Sequence, residues 1–186
     1  MKVGALCPRP ISFFHREVIV KTFYSLIFSL LCFGILGCTG KEAQVPRPTS
    51  QARLFMLDGD IKGLKQYRGK TTVVLFWATW CSYSRDSILD FNQFASRYRH
   101  RPDTAFLAIS LDKFEDREAV EERVHYKNLS SVEHVFSGNQ GQDEAYIKLK
   151  GANMPQFLVI DKYGFVVAQG DDIDVVADAF ESRGIR

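Results

Sequence analysis

Apolar positions follow two rhythms along this chain of 186 residues. Unbroken blocks at 71–78 (TTVVLFWA) and 104–111 (TAFLAISL) are apolar with β-branched and aromatic residues throughout, and carry no charge. That is the pattern of strands buried on both sheet faces. Between them Ile88, Phe91, Phe94, Ala95 and Tyr98 recur at three- and four-residue steps. Arg85, Asp86, Asn92, Gln93, Arg97 and Arg99 lie mostly off that stripe. An amphipathic helix is predicted from Ser84 to near His100, with Pro102 as its stop. A second, charged helix is expected over 115–127, a short strand over 132–136, a loop over 137–141 and a short helix over 143–149. Strands at 156–160 and 165–169 flank a turn at Asp161-Lys162-Tyr163-Gly164. A final helix over 173–182 turns Ile173, Val176, Ala177 and Phe180 inward. Strand, helix and strand in alternation imply parallel strands with a right-handed crossover, an α/β domain.

The front of the chain has a different pattern. Residues 23–37 (FYSLIFSLLCFGILG) carry no charge and follow Lys2, Arg9, Arg16 and Lys21. The run is short for a membrane span and suits the apolar region of an export signal. It ends Ile35-Leu36-Gly37-Cys38, which resembles a bacterial lipobox. The expected organisation is a lipoprotein signal over 1–37, lipidation at Cys38, a polar tether over 38–52 and a folded domain over 53–186. An uncleaved N-terminal anchor is the alternative. Both put the domain at a membrane surface on the exported side of the bacterial envelope.

Removal of 1–37 turns the net charge from +2 to about −1, so nothing in the charge implies nucleic acid as a partner. It also removes Cys7 and Cys32, and lipidation would occupy Cys38. Cys81 is then the sole free thiol, which rules out a structural disulfide.

Cys81 follows Trp77-Ala78-Thr79-Trp80, where the first buried strand gives way to the helix. A helix N-terminus offers unpaired N–H groups and the positive end of the macrodipole, an environment that favours a thiolate nucleophile. The alternative is a buried, inert cysteine. The stretch resembles the active-site segment of the thioredoxin superfamily, in its membrane-tethered TlpA/ResA branch. The resemblance implies a central mixed β-sheet flanked by helices. It also implies a short N-terminal β-hairpin around Asp58-Gly59-Asp60.

In that branch the motif is Cys-x-x-Cys, and here the second position is Ser84. A hydroxyl cannot resolve a mixed disulfide. Ser84 can donate a hydrogen bond to Cys81 or cap the helix. Cys81 and Ser84 are the candidate catalytic pair. The second mark of the resemblance is Met154-Pro155, which implies a cis-proline facing the cysteine; a trans proline opening an edge strand is the alternative. Substrate contacts are expected from Trp80, Ser82, Tyr83, Met154 and Pro155.

Elsewhere His100, His125 and His134 are scattered and read as surface or loop residues. Asp112, Asp116, Glu121 and Glu122 read as a solvated helix face. Gly138, Gly141 and Gly151 form no phosphate cradle. No metal and no cofactor is expected. The resulting expectation is an exported, membrane-tethered thiol-disulfide oxidoreductase with one nucleophilic cysteine. It would form mixed disulfides with cysteine-containing envelope proteins or small thiols. A redox-inactive binding or chaperone module is the alternative. A monothiol peroxidase is disfavoured, since the chain lacks a Thr-x-x-Cys frame.

Overall fold

A computed structural model describes residues 52–184. The expected signal, the lipidation site Cys38 and all but the last residue of the tether lie outside them. Among the described residues no helix is long and apolar enough to cross a membrane.

The two apolar blocks form the centre of a five-stranded sheet. Strands β3 (Thr71–Trp77) and β4 (Thr104–Ser110) are buried at every position. They pair in parallel, and β4 pairs in parallel with β5 (Glu133–Phe136). On the other side of β3, β6 (Gln156–Ile160) pairs with it antiparallel and β7 (Val166–Gly170) pairs antiparallel with β6, so the order is β5-β4-β3-β6-β7. The sheet is mixed, as the resemblance implied. The short antiparallel hairpin is also present, as β1 (Arg53–Phe55) and β2 (Ile61–Gly63).

Alternation along β3 divides the core. Val73, Leu75 and Trp77 face helix α1 (Ser82–Ser96), Val120 of α2 (Arg117–Tyr126), and Val176 and Phe180 of α4 (Ile173–Gly184). Phe94, Tyr98, Phe106 and Phe180 form one aromatic cluster there, with ring centroids 5.0–6.3 Å apart. Each such buried ring stabilises the fold by about 1.5–3 kcal/mol. Val74 and Phe76 point to the opposite face, under Leu54, Met56, Leu64 and Tyr67, with Ala145 of α3 (Glu144–Lys148).

The hairpin covers the β5 edge. Met56 bridges Val135, and the Leu57 N–H donates to the His134 carbonyl at 2.9 Å. Tyr67, in a 3-10 turn after β2, donates to Glu133 at 2.8 Å, and Lys62 pairs with the same carboxylate at 2.6 Å. Burial, with Glu133 alongside, pushes the Tyr67 phenol well above its ordinary value.

The first two helices depart most from the expected bounds. The first ends at Ser96, because Arg97, Tyr98 and Arg101 bond back three residues and tighten the chain toward Pro102 and β4. Tyr98 stays on the apolar stripe nonetheless. The second starts as a 3-10 turn at Phe114–Asp116 before α2 proper.

Candidate active site

Strand β3 delivers the chain to the C-terminal end of the sheet's central strand, and Ala78-Thr79-Trp80 lead directly into α1. Cys81 is the N-cap, with extended φ −89° and ψ 115°, and its carbonyl accepts the Arg85 N–H at 3.2 Å. The thiol is therefore set at the end of the helix where N–H groups lack internal partners. It is half-buried and is the one free cysteine among the described residues. The first turn of α1 carries no acidic side chain. The Arg85 guanidinium folds back instead and donates to the Thr79 carbonyl at 3.3 Å.

Facing the thiol is the loop before β6. The Met154–Pro155 bond is cis, and the Met154 carbonyl lies 3.9 Å from Cys81 Sγ. Register explains the approach. Phe76 is paired with Gln156, so the residues just before β6 lie across from those just after β3. The buried Gln156 side chain shapes that loop by accepting the Ala152 N–H at 2.8 Å.

Among the other expected site residues, Ser82 and Tyr83 open α1 and are exposed. Trp80 is 59% exposed and Tyr83 78% exposed, which leaves two large apolar surfaces in solvent on either side of the thiol in the sequence. Met154 and Pro155 are half-buried. Ser84 is wholly buried as the third residue of α1, and its hydroxyl has no hydrogen-bond partner, neither Cys81 nor a backbone group. No three His, Cys, Asp or Glu side chains converge as metal ligands among the described residues.

The acidic residues 112–122 do not share one solvated face. Asp112 does not lie on a solvated helix face: it is fully buried, and its carboxylate accepts from the Thr79 N–H and hydroxyl. The signal was its place directly after an apolar strand, ahead of the charged stretch. His134 is likewise no loop residue. It lies in β5, where Nε2 donates to the Leu129 carbonyl at 2.7 Å. A carbonyl only accepts, so Nε2 carries the proton and Nδ1 is left buried without a partner.

The sequence profile of the AhpC/TSA family matches residues 45–169. Thioredoxin-1 of Schizosaccharomyces pombe is 33% identical over 86 residues, covering 42% of this chain and 80% of that protein. Among solved structures, a thiol-disulfide oxidoreductase from Bacteroides fragilis superposes with a TM-score of 0.65 at 20% identity, covering 73% of this chain and 98% of that one. The thioredoxin domain of a thiol-disulfide oxidoreductase from Bacteroides vulgatus gives 0.64 at 16% identity, covering 75% and 96%. A secreted disulfide oxidoreductase of Mycobacterium tuberculosis gives 0.56 at 19% identity, covering 72% and 93%. These structures share the thioredoxin fold with it. With most of its described length inside the profile match and Cys81 at the strand-to-helix junction of that fold, the chain belongs to the AhpC/TSA family of thioredoxin-like proteins.

Proposed function

We propose that the protein is a thiol-disulfide exchange protein that works with a single sulfur. The observation that carries this is the pairing of an accessible Cys81 at the N-cap of α1 with a buried serine one turn along. Cys81 thiolate attacks a substrate disulfide. One S–S bond breaks, a mixed disulfide on Cys81 forms, and a substrate thiolate leaves. No second sulfur follows in the helix, so an external thiolate must attack that mixed disulfide, regenerate Cys81 and carry away the disulfide. The two steps transfer a disulfide between partners with no net change in the protein.

Substrates of this chemistry are cysteine-containing proteins or small thiols, and the exposed Trp80 and Tyr83 favour an apolar peptide around the cysteine. The apolar block at 23–37 and the lipobox-like Cys38 support export and a lipid tether, with the partners in the bacterial envelope. Mass spectrometry of the N-terminus of membrane-extracted protein tests the tether. An unmodified Cys38 within an intact leader would overturn it.

Incubation of the protein with a peptide disulfide at neutral pH tests the chemistry. The expected product is one adduct on Cys81 that persists until a thiol is added. No adduct under native conditions sinks the proposal. The same exposed surface fits a binding module without redox chemistry, and Cys81→Ser separates the two. Loss of partner capture supports exchange, whereas unchanged capture supports binding alone.

A further inference from the structure

Asp112 takes no part in the exchange steps, yet it is fully buried and bonded to the loop that carries Cys81. A carboxylate withdrawn from water is costly unless its oxygens are filled by donors. Both oxygens accept from the Thr79 N–H, at 3.1 Å each, and Oδ1 also accepts from the Thr79 hydroxyl at 2.6 Å. Oδ2 accepts from the Ser110 hydroxyl at 2.7 Å, and the Asp112 N–H donates back to Ser110 Oγ at 3.1 Å. The remaining polar group of Thr79, its carbonyl, is held by Arg85 at 3.3 Å.

Every polar group of Thr79 is therefore engaged, from the end of β4 and from α1. This matters because backbone pairing stops just before it. The β3–β4 ladder ends at Trp77 and Ser110, with one further bond from the Leu111 N–H to the Trp77 carbonyl at 2.8 Å. Beyond that point Asp112 continues the pairing with its side chain. The turn that follows is loosely closed, since the Cys81 N–H reaches the Ala78 carbonyl only at 3.3 Å.

Resting on the single-sulfur exchange proposed above, we infer that Asp112 is a positioning residue for Cys81. Acting through Thr79, it fixes the strand-to-helix loop so that Sγ is held opposite the Met154 carbonyl, aligned for attack on a disulfide. Attack along the axis of an S–S bond is demanding in geometry, and small misplacements of a nucleophile lower such rates steeply.

The test compares wild type, Asp112→Asn, Thr79→Val and Thr79→Ser, each well below its melting temperature. Two rates at Cys81 are measured by mass spectrometry: glutathionylation by oxidised glutathione and alkylation by iodoacetamide. Positioning predicts glutathionylation slowed about tenfold or more in Asp112→Asn and about threefold or more in Thr79→Val, with Thr79→Ser near wild type. It also predicts a smaller, parallel loss towards iodoacetamide, which makes lesser demands on alignment. The double variant should be no slower than the slower single one, as expected of residues acting in one chain of contacts.

A lower melting temperature with unchanged rates means that Asp112 only stabilises the fold, and overturns the inference. So does Thr79→Val reacting at the wild-type rate, which also decides the matter if Asp112→Asn does not fold. If wild type itself fails to react with oxidised glutathione, single-sulfur exchange is wrong. The iodoacetamide rates then decide on Asp112 alone: unchanged rates overturn its role, and parallel losses in both variants support it.

Discussion

Ser84 is buried completely one helical turn from the half-exposed Cys81, and its hydroxyl bonds to nothing. The pair occupies the N-cap and third position of α1, so the backbone already presents two side chains at the spacing an intramolecular disulfide uses. What is missing is one sulfur. Ser84→Cys should therefore change the chemistry without changing the fold. The introduced thiolate attacks the mixed disulfide on Cys81 and releases the substrate thiolate as an internal disulfide forms. Adduct lifetime, followed by mass spectrometry without added thiol, should fall by at least about tenfold, since the attacking group is now intramolecular. An adduct as persistent as that of wild type would mean that the two positions do not meet.

The same hydroxyl predicts a gain in stability. A buried polar atom without a partner costs about 1–3 kcal/mol relative to a satisfied or apolar one. Ser84→Ala removes it, leaves only a very small void and improves helix propensity slightly. Urea unfolding should show Ser84→Ala more stable than wild type by about 1 kcal/mol, with an unchanged slope. A loss of stability would show that the hydroxyl is satisfied in solution.

Trp80 and Tyr83, which flank Cys81 in the sequence, keep most of their surface in water. If they receive an apolar peptide, their truncation should discriminate between substrates by size. Trp80→Ala and Tyr83→Ala should each slow capture of a hydrophobic peptide disulfide by about tenfold, the equivalent of about 1.4 kcal/mol. Reaction with a small reagent such as iodoacetamide should stay close to the wild-type rate. Equal losses with both reagents would point to a disturbed Cys81 and not to a binding surface.

The sheet and helices are legible in the sequence because their signals are periodic and local. The block at 71–78 has no charge to place it at an edge, and the stripe from Ile88 to Tyr98 fits only a helix. Side-chain destinations set by register are not legible in this way. Asp112 sits beside a charged stretch that does form exposed helix, and only its place directly after an apolar strand distinguishes it from Asp116 or Glu121. Its burial depends on β3 and β4 ending in step, at Trp77 and Ser110, which brings Thr79 within reach. His134 is similar. It becomes half-buried in β5, where its ring meets the Leu129 carbonyl, a placement that depends on β5 joining the sheet beside β4.

That placement of His134 gives the fold a pH dependence of definite sign. Burial holds the ring below the ordinary histidine value, against a smaller opposing contribution from the Leu129 carbonyl. A second proton would go to Nδ1, which is buried and has no acceptor to meet it. The unfolded chain takes up that proton near pH 6.5, while the folded chain resists until lower pH. Stability from this group is thus complete above about pH 6.5. It is lost as pH falls from there toward the folded value, by at most about 1.4 kcal/mol per pH unit. His134→Gln keeps a donor for the Leu129 carbonyl and cannot titrate in this range. Chemical denaturation at pH 7.5 and pH 5.5 should show a larger fall in stability for wild type than for His134→Gln. Parallel falls in the two proteins would mean that His134 is protonated as readily in the folded chain as in the unfolded one.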